Sequence, residues 1–302
     1  MNIEKKKFND IYAEIVAETK NFFDDLRKKQ VRNFGLATVG AIAIASIVYL
    51  MDRQDFILCI PFSLCLIMVF FFLGNYHYRK QYKETIIGTL INKYNSNFRY
   101  TQDGGPISNA DYLEAGFDKN WDTMEKNDGV IGDLEDGSRF RMAQITTYKN
   151  VTYLDDNGEK RLKKEQTYKG TFCVVTLNKM IPNQIDILAN TRKYKYNKNK
   201  IEVDSENFEK EFDMIAKDRV QALRIFTPEI IEILVSLKER IKVTYRVRID
   251  GDRIYIKIDN GDIFEPISYK AELTASALLE YYNTIDIPVT LATTIIRGAR
   301  DL

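Results

Sequence analysis

Apolar positions along this chain follow three different patterns. In residues 34–51, and again in 56–76, the apolar run is unbroken by any charged side chain. Eighteen residues of helix rise about 27 Å, close to the roughly 30 Å of a bilayer's hydrocarbon core. The pattern therefore predicts two transmembrane helices, at about residues 34–51 and 56–74. Asp52-Arg53-Gln54-Asp55 between them is short enough to join only antiparallel neighbours, so the pair forms a hairpin. Ala37, Ala41 and Ala45 recur at every fourth position of the first span, with Gly40 and Ser46 beside them. Small residues at this spacing let helices approach closely. The partner is either the second span, which offers Phe62, Leu66, Phe70 and Leu73, or a second copy of the chain.

Ahead of the spans the period is helical. Phe8, Ile11, Tyr12, Ile15, Thr19, Phe22 and Leu26 share one face and charges fill the other, predicting an amphipathic helix within residues 1–33. It lies on the bilayer or packs on the rest of the protein. Residues 76–94 continue the second span as helix. Beyond them the pattern becomes strand-like from Val130 to about Ala189. Residues 167–177 are apolar on both faces, as a central strand is, and Asp155-Asp156-Asn157-Gly158 is a hairpin turn. A second hairpin alternates Val243, Tyr245, Val247 and Ile249, turns at Asp250-Gly251, and returns through Ile254, Ile256 and Ile258. Ser108 caps a short helix, Thr227-Pro228 opens a longer one, and two helices are expected at about 269–283 and 287–300. The fold class is α+β in three parts: amphipathic helix (1–33), transmembrane hairpin (34–75), and a mixed domain with an antiparallel sheet and packed helices (76–302).

Charge orients the hairpin. Arg27, Lys28, Lys29 and Arg32 precede the first span, Arg79, Lys80 and Lys83 follow the second, and the linker holds only Arg53. The positive-inside rule places both termini in the cytoplasm of a protein of the cell membrane. Tyr49, Tyr76, His77 and Tyr78 fall where interfacial anchors belong. A cleaved signal peptide does not fit, because 33 residues with six carboxylates precede the first run. From Glu84 onward there are 32 basic and 35 acidic residues, against the basic excess of a nucleic-acid binder.

Candidate chemistry is sparse. Cys59, Cys65 and Cys173 have the spacing of neither a disulfide framework nor a zinc site. His77 is the only histidine, which excludes Ser-His-Asp and Cys-His machinery. The acidic clusters at Asp128, Asp133–Asp136, Asp155-Asp156 and Asp259–Asp262 have the glycine and asparagine content of turns and lack a calcium-loop spacing. No phosphate-cradling glycine motif occurs, and no cofactor is implied. One segment stands out: Arg192, Lys193, Lys195, Lys198 and Lys200, interleaved with Tyr194 and Tyr196 and free of acids. It is either a loop touching anionic lipid headgroups or an ordinary exposed basic loop.

Several stretches together resemble a bacterial family of membrane proteins, the domain of unknown function 3137. They are the hairpin followed by Tyr78 to Lys83, Ile86 to Ile91, Tyr168 to Phe172, Phe208 to Phe212, Gln221 to Glu229, Ile254 to Ile258, and Phe264-Glu265-Pro266. The likeness covers roughly residues 35–270 and implies a membrane-anchored cytosolic domain, with no catalytic residues to carry over. The expected function is a membrane-anchored binding or scaffold module for a protein, an anionic headgroup or a small ligand. The alternative is a membrane-associated hydrolase or transferase working with carboxylates.

Overall fold

The computed structural model describes residues 2–51, 53–191, 194 and 196–300 of an α+β chain. Two long helices open it, α1 (Asn2–Met51) and α2 (Arg53–Tyr82), followed by a π-helical turn (Lys83–Ile87) and α3 (Gly88–Tyr94). The amphipathic stretch and the first apolar run form one helix, because no glycine or proline separates them before Gly35. Arg53, Gln54 and Asp55, expected in a linker, already belong to α2.

The buried face of α1 is Phe8, Ile11, Ile15, Thr19, Phe23, Leu26 and Gln30. Phe23, rather than the expected Phe22, points inward and meets Tyr82 edge-to-face at 5.8 Å. Tyr82, Ile86 and Leu90 are fully buried, and Lys93 forms ion pairs with Glu14 and Glu18. The amphipathic face is therefore covered by protein. Farther along, Leu36, Val39, Ile42 and Ile47 on α1 and Met68, Val69, Phe72 and Leu73 on α2 are more than half exposed. Among the described residues one helical stretch, Phe8–Ile47, is long and apolar enough to cross a membrane. The small-residue seam does not close tightly. Ala37, Gly40 and Ala41 line a crevice of about 630 Å³ that extends to Leu73 and Gly74. The side chains of Phe62, Leu66 and Phe70 lie outside the described residues.

The remaining strands form one antiparallel sheet in the order β1-β2-β3-β4-β6-β5, with β7 also on β4. They are β1 (Arg99–Thr101), β2 (Thr123–Asp133), β3 (Arg139–Leu154), β4 (Lys160–Ala189), β5 (Lys200–Ile201), β6 (Phe212–Ala216) and β7 (Tyr245–Ile258). β4 is central, as its two-sided apolar pattern predicts: β3 and β7 flank its first half, β6 and β7 its last residues. β7 is the predicted hairpin. Asp259 N donates to Thr244 O at 2.9 Å, whereas a straight strand of 14 residues would part those ends by more than about 40 Å. Gly251, at φ +60°, makes the reversal. β4 runs along both arms, pairing Thr171–Thr176 with the return arm and Ile185–Ile187 with the outgoing one.

Beyond Tyr148 and Gln166, β3 and β4 project as a two-stranded ribbon that pairs with no other strand among the described residues. Two of the acidic clusters are turns: Asp136 and Asp155 each accept from backbone N–H groups of their own loops. Asp262 accepts instead from Gln144 and Lys169 on β3 and β4, and Asp128 is buried. It is 1% exposed, sits at φ +47° in a β-bulge of β2, and accepts a hydrogen bond from Tyr100.

Four short or medium helices complete the sheet region: α4 (Asn109–Ala115), α5 (Glu206–Glu211), α6 (Arg219–Ile225) and α7 (Pro228–Ile241). Ser108 and Asp111 cap α4 reciprocally, and Pro228 opens α7 after Thr227. The chain ends in a single helix, α8 (Ala275–Gly298), where two were expected. It runs through Pro288, and burial of Ile285, Ile287, Leu291, Ala292 and Ile295 offsets the lost hydrogen bond. The chain forms two compact units, Met1–Lys93 with Glu265–Glu280, and Tyr94–Phe264 with Tyr281–Leu302. In the first, Arg27 and Tyr78 donate to the carbonyls of Tyr269 and Ile267, and Glu265 pairs with Arg79 and Lys83.

Candidate functional site

Charge gathers where the loop after α4 meets the two arms of β7. Gly116 ends α4 in a left-handed conformation, φ +61°, and a Cβ there would lie 2.7 Å from an Arg248 nitrogen. Glycine therefore lets the loop descend onto the strand, carrying Phe117 and Asp118 with it. The loop, Leu188, Ala189, Thr191, Tyr194, Arg246 and Arg248 line a cavity of about 240 Å³.

Arg248 is a fixed wall. Its Nε and one terminal nitrogen donate to the two oxygens of Asp186 at 2.6 and 3.1 Å. Its other terminal nitrogen donates to the Ala115 carbonyl at 2.7 Å, and the guanidinium lies 5.6 Å from the centre of the Phe117 ring. Asp186 is the direct cross-strand neighbour of Arg248, so the bidentate pair is set by strand register.

Asp118 is the hub. It accepts from Lys257, from the Tyr112 hydroxyl at 2.6 Å, and faces Arg246 at 3.6 Å. Burial works against its charge, but the bonds from Lys257 and Tyr112 outweigh that and hold the carboxyl below the usual range. Lys257 is 3% exposed, and its ammonium lies 3.9 Å from the centre of the Tyr168 ring. Burial pulls Lys257 below the ordinary lysine value, with Asp118 opposing. Tyr112 is pushed up by burial and by Asp118. Asp259, two positions past Lys257, has its carboxyl raised by partial loss of water. Trp121, the only tryptophan, packs on Tyr112 at 5.6 Å.

This arrangement holds charge in place. A carboxylate held by two hydrogen-bond donors, Lys257 and Tyr112, with a guanidinium nearby is a weak base; the neighbouring carboxyl whose value is raised is Asp259. Among the described residues no cluster has the ligands for a metal ion.

The basic segment borders the same cavity through Thr191 and Tyr194. Lys198 is exposed. Lys200 is held by Asp213 at 2.7 Å and Glu209 at 3.4 Å, so it staples the loop to β6. Arg192, Lys193 and Lys195 lie outside the described residues. Of the interfacial residues, Tyr76 and His77 are exposed. Tyr78 is 2% exposed and enclosed by protein, and the side chain of Tyr49 lies outside the described residues. Arg246, Arg248, Lys257 and Asp118 were not singled out from sequence. In strand alternation the three cations look like the solvated face of a hairpin, and only the fold brings a carboxylate between them.

Residues 166–296 match the model of the family described as a protein of unknown function, DUF3137. The match begins within β4 and extends past residue 270, while the helices at 78–91 that suggested the likeness lie outside it. It includes both arms of β7 but not the Gly116–Asp118 loop. No curated protein and no solved structure matches the chain.

Proposed function

We propose that this chain is a membrane-tethered binding module, anchored by two helical spans at residues 34–51 and 56–74 and presenting its sheet to the cytoplasm. The exposed apolar side chains of α1 and α2 support the anchor. Leu36, Val39, Ile42, Phe72 and Leu73 are each 60–65% exposed, and burying a side chain of this kind is worth about 1.5–3 kcal/mol. A bilayer supplies that burial. The basic residues on either side of the pair favour cytoplasmic termini.

The observation that carries binding rather than carboxylate catalysis is the state of Asp118. Its charge is already answered by Lys257, Tyr112 and Arg246 around an open cavity. Such a site recognises a charged ligand, and Asp118, already held by these partners, is a poor base to activate one.

Topology is tested by single cysteines and a membrane-impermeant maleimide, measured against wild-type labelling. Gln54→Cys should label in intact cells, and Lys198→Cys only after permeabilisation. Labelling of Lys198→Cys from outside would overturn the orientation, and labelling of neither until detergent is added would remove the second span.

A further inference from the structure

We propose that the cavity between the Gly116–Asp118 loop and the outgoing arm of β7 binds a small phosphate-type oxyanion, with Arg246 as the residue that grips it. This inference rests on the binding-module reading and names its ligand class. Arg246 is set apart from its neighbours by what it lacks. Among the described residues its one ionic contact is Asp118 at 3.6 Å, beyond hydrogen-bond range, and none of those residues hydrogen-bonds its five N–H donors. Yet its side chain is only 30% exposed and lines the cavity. Its guanidinium is open to the cavity, and a phosphate group accepts from a guanidinium in bidentate fashion through two of its oxygens.

The neighbours leave room for a negative charge. Arg248 is committed to Asp186 and Ala115, but its pairing fixes a second guanidinium on the same strand face, two residues from Arg246. Asp118 does not compete strongly for Arg246, since Lys257 and Tyr112 occupy it. Three cations (Arg246, Arg248 and Lys257) thus meet two firm anions (Asp118 and Asp186), with Asp259 more open to solvent at the edge. A cavity of 240 Å³ equals about eight waters of liquid. That admits phosphate or a glycerol phosphate and falls short of a nucleotide, whose pockets run to several hundred Å³. The same chemistry is found on a free phosphate compound and on a lipid headgroup.

Trp121 supplies the readout, because it packs on Tyr112, which holds Asp118. The full chain in phosphatidylcholine nanodiscs is titrated with inorganic phosphate and with glycerol phosphate, ionic strength being held constant with chloride. Saturable change in Trp121 emission is expected. Arg246→Gln should weaken it at least about tenfold, as loss of a charge-assisted hydrogen bond does, while Lys198→Gln leaves it within about twofold, as an exposed charge does. Near-UV circular dichroism and the melting temperature of Arg246→Gln should match wild type. A response reproduced by chloride, absent altogether, or undiminished in a folded Arg246→Gln overturns the site.

Repeating the titration in phosphatidylglycerol nanodiscs separates the two sources. Weaker apparent phosphate binding there assigns the site to headgroups, and unchanged binding to soluble ligands; either keeps the inference. Arg246-dependent release of phosphate from glycerol phosphate would keep the site and sink the binding-module reading. Failure of the phosphate titration alone leaves the topology result standing.

Discussion

A Cβ on residue 170 would fall 2.1 Å from the carbonyl oxygen of Ile258. The backbones of β4 and the return arm of β7 can be this close only because Gly170 has no side chain. Gly170→Ala should therefore destabilise the protein by about 3 kcal/mol, the upper end for overpacking a core, as measured by denaturant unfolding. Asp118 makes a separate prediction about acid. Its folded carboxyl is held below the ordinary value near 3.9. The stability it contributes is present above that value and is lost as pH falls through the lower, folded one. Comparing urea unfolding at neutral pH and near pH 3, Asp118→Asn should lose less stability on acidification than wild type. An identical loss would mean Asp118 is not part of the acid response. At this scale the sequence told little. Gly170 stands out as a glycine amid strand residues, but Asp118 and Lys257 lie 139 positions apart, and nothing local announces that they touch.

At the scale of elements, what could be read was what the chain decides locally. Ser108 with Asp111, Thr227 with Pro228, and the two hairpin turns each carry their signal within a few residues. Elements decided by distant packing were missed. β6 (Phe212–Ala216) is five residues with nearly every side chain buried, a pattern that fits helix and strand equally until β4 lies beside it. α8 continues through Pro288 because buried residues on both sides hold it. The projecting β3–β4 ribbon illustrates the reverse case, strands that form without a packed layer. Tyr153, Leu154 and Leu162 there are 47%, 66% and 76% exposed, and two strands alone are only marginally stable. Amides of residues 150–154 and 160–165 should exchange with deuterium much faster than those of 170–176, where β3 and β7 flank β4. Equal protection would mean the ribbon is covered in solution.

For the whole molecule, the informative fact is that neither compact unit is a continuous stretch of chain. The sheet unit needs Tyr281–Leu302, which brings Tyr281, Tyr282, Ile285, Leu291, Ala292 and Ile295 into its core and places Asp286 2.6 Å from Arg240. Six such side chains contribute on the order of 10 kcal/mol of burial, comparable to the entire stability of a domain. A fragment of residues 94–264 should therefore fail to fold, and a cooperative melting transition from it would contradict this division. The three-part order read from the sequence, amphipathic helix then hairpin then domain, treats the units as consecutive. No local pattern signals that residues 265–280 return to the first.

That return has a consequence in time. A chain is made from its N-terminus at about 5–20 residues per second. The helices of the first unit therefore wait on the order of ten seconds or more before Glu265–Glu280 emerges. During that wait Arg79 lacks Glu265, and Tyr78 lacks the Ile267 carbonyl. The unit is completed only once residues 265–280 have been made, so its assembly depends on a later-arriving segment rather than on the order in which its helices were made.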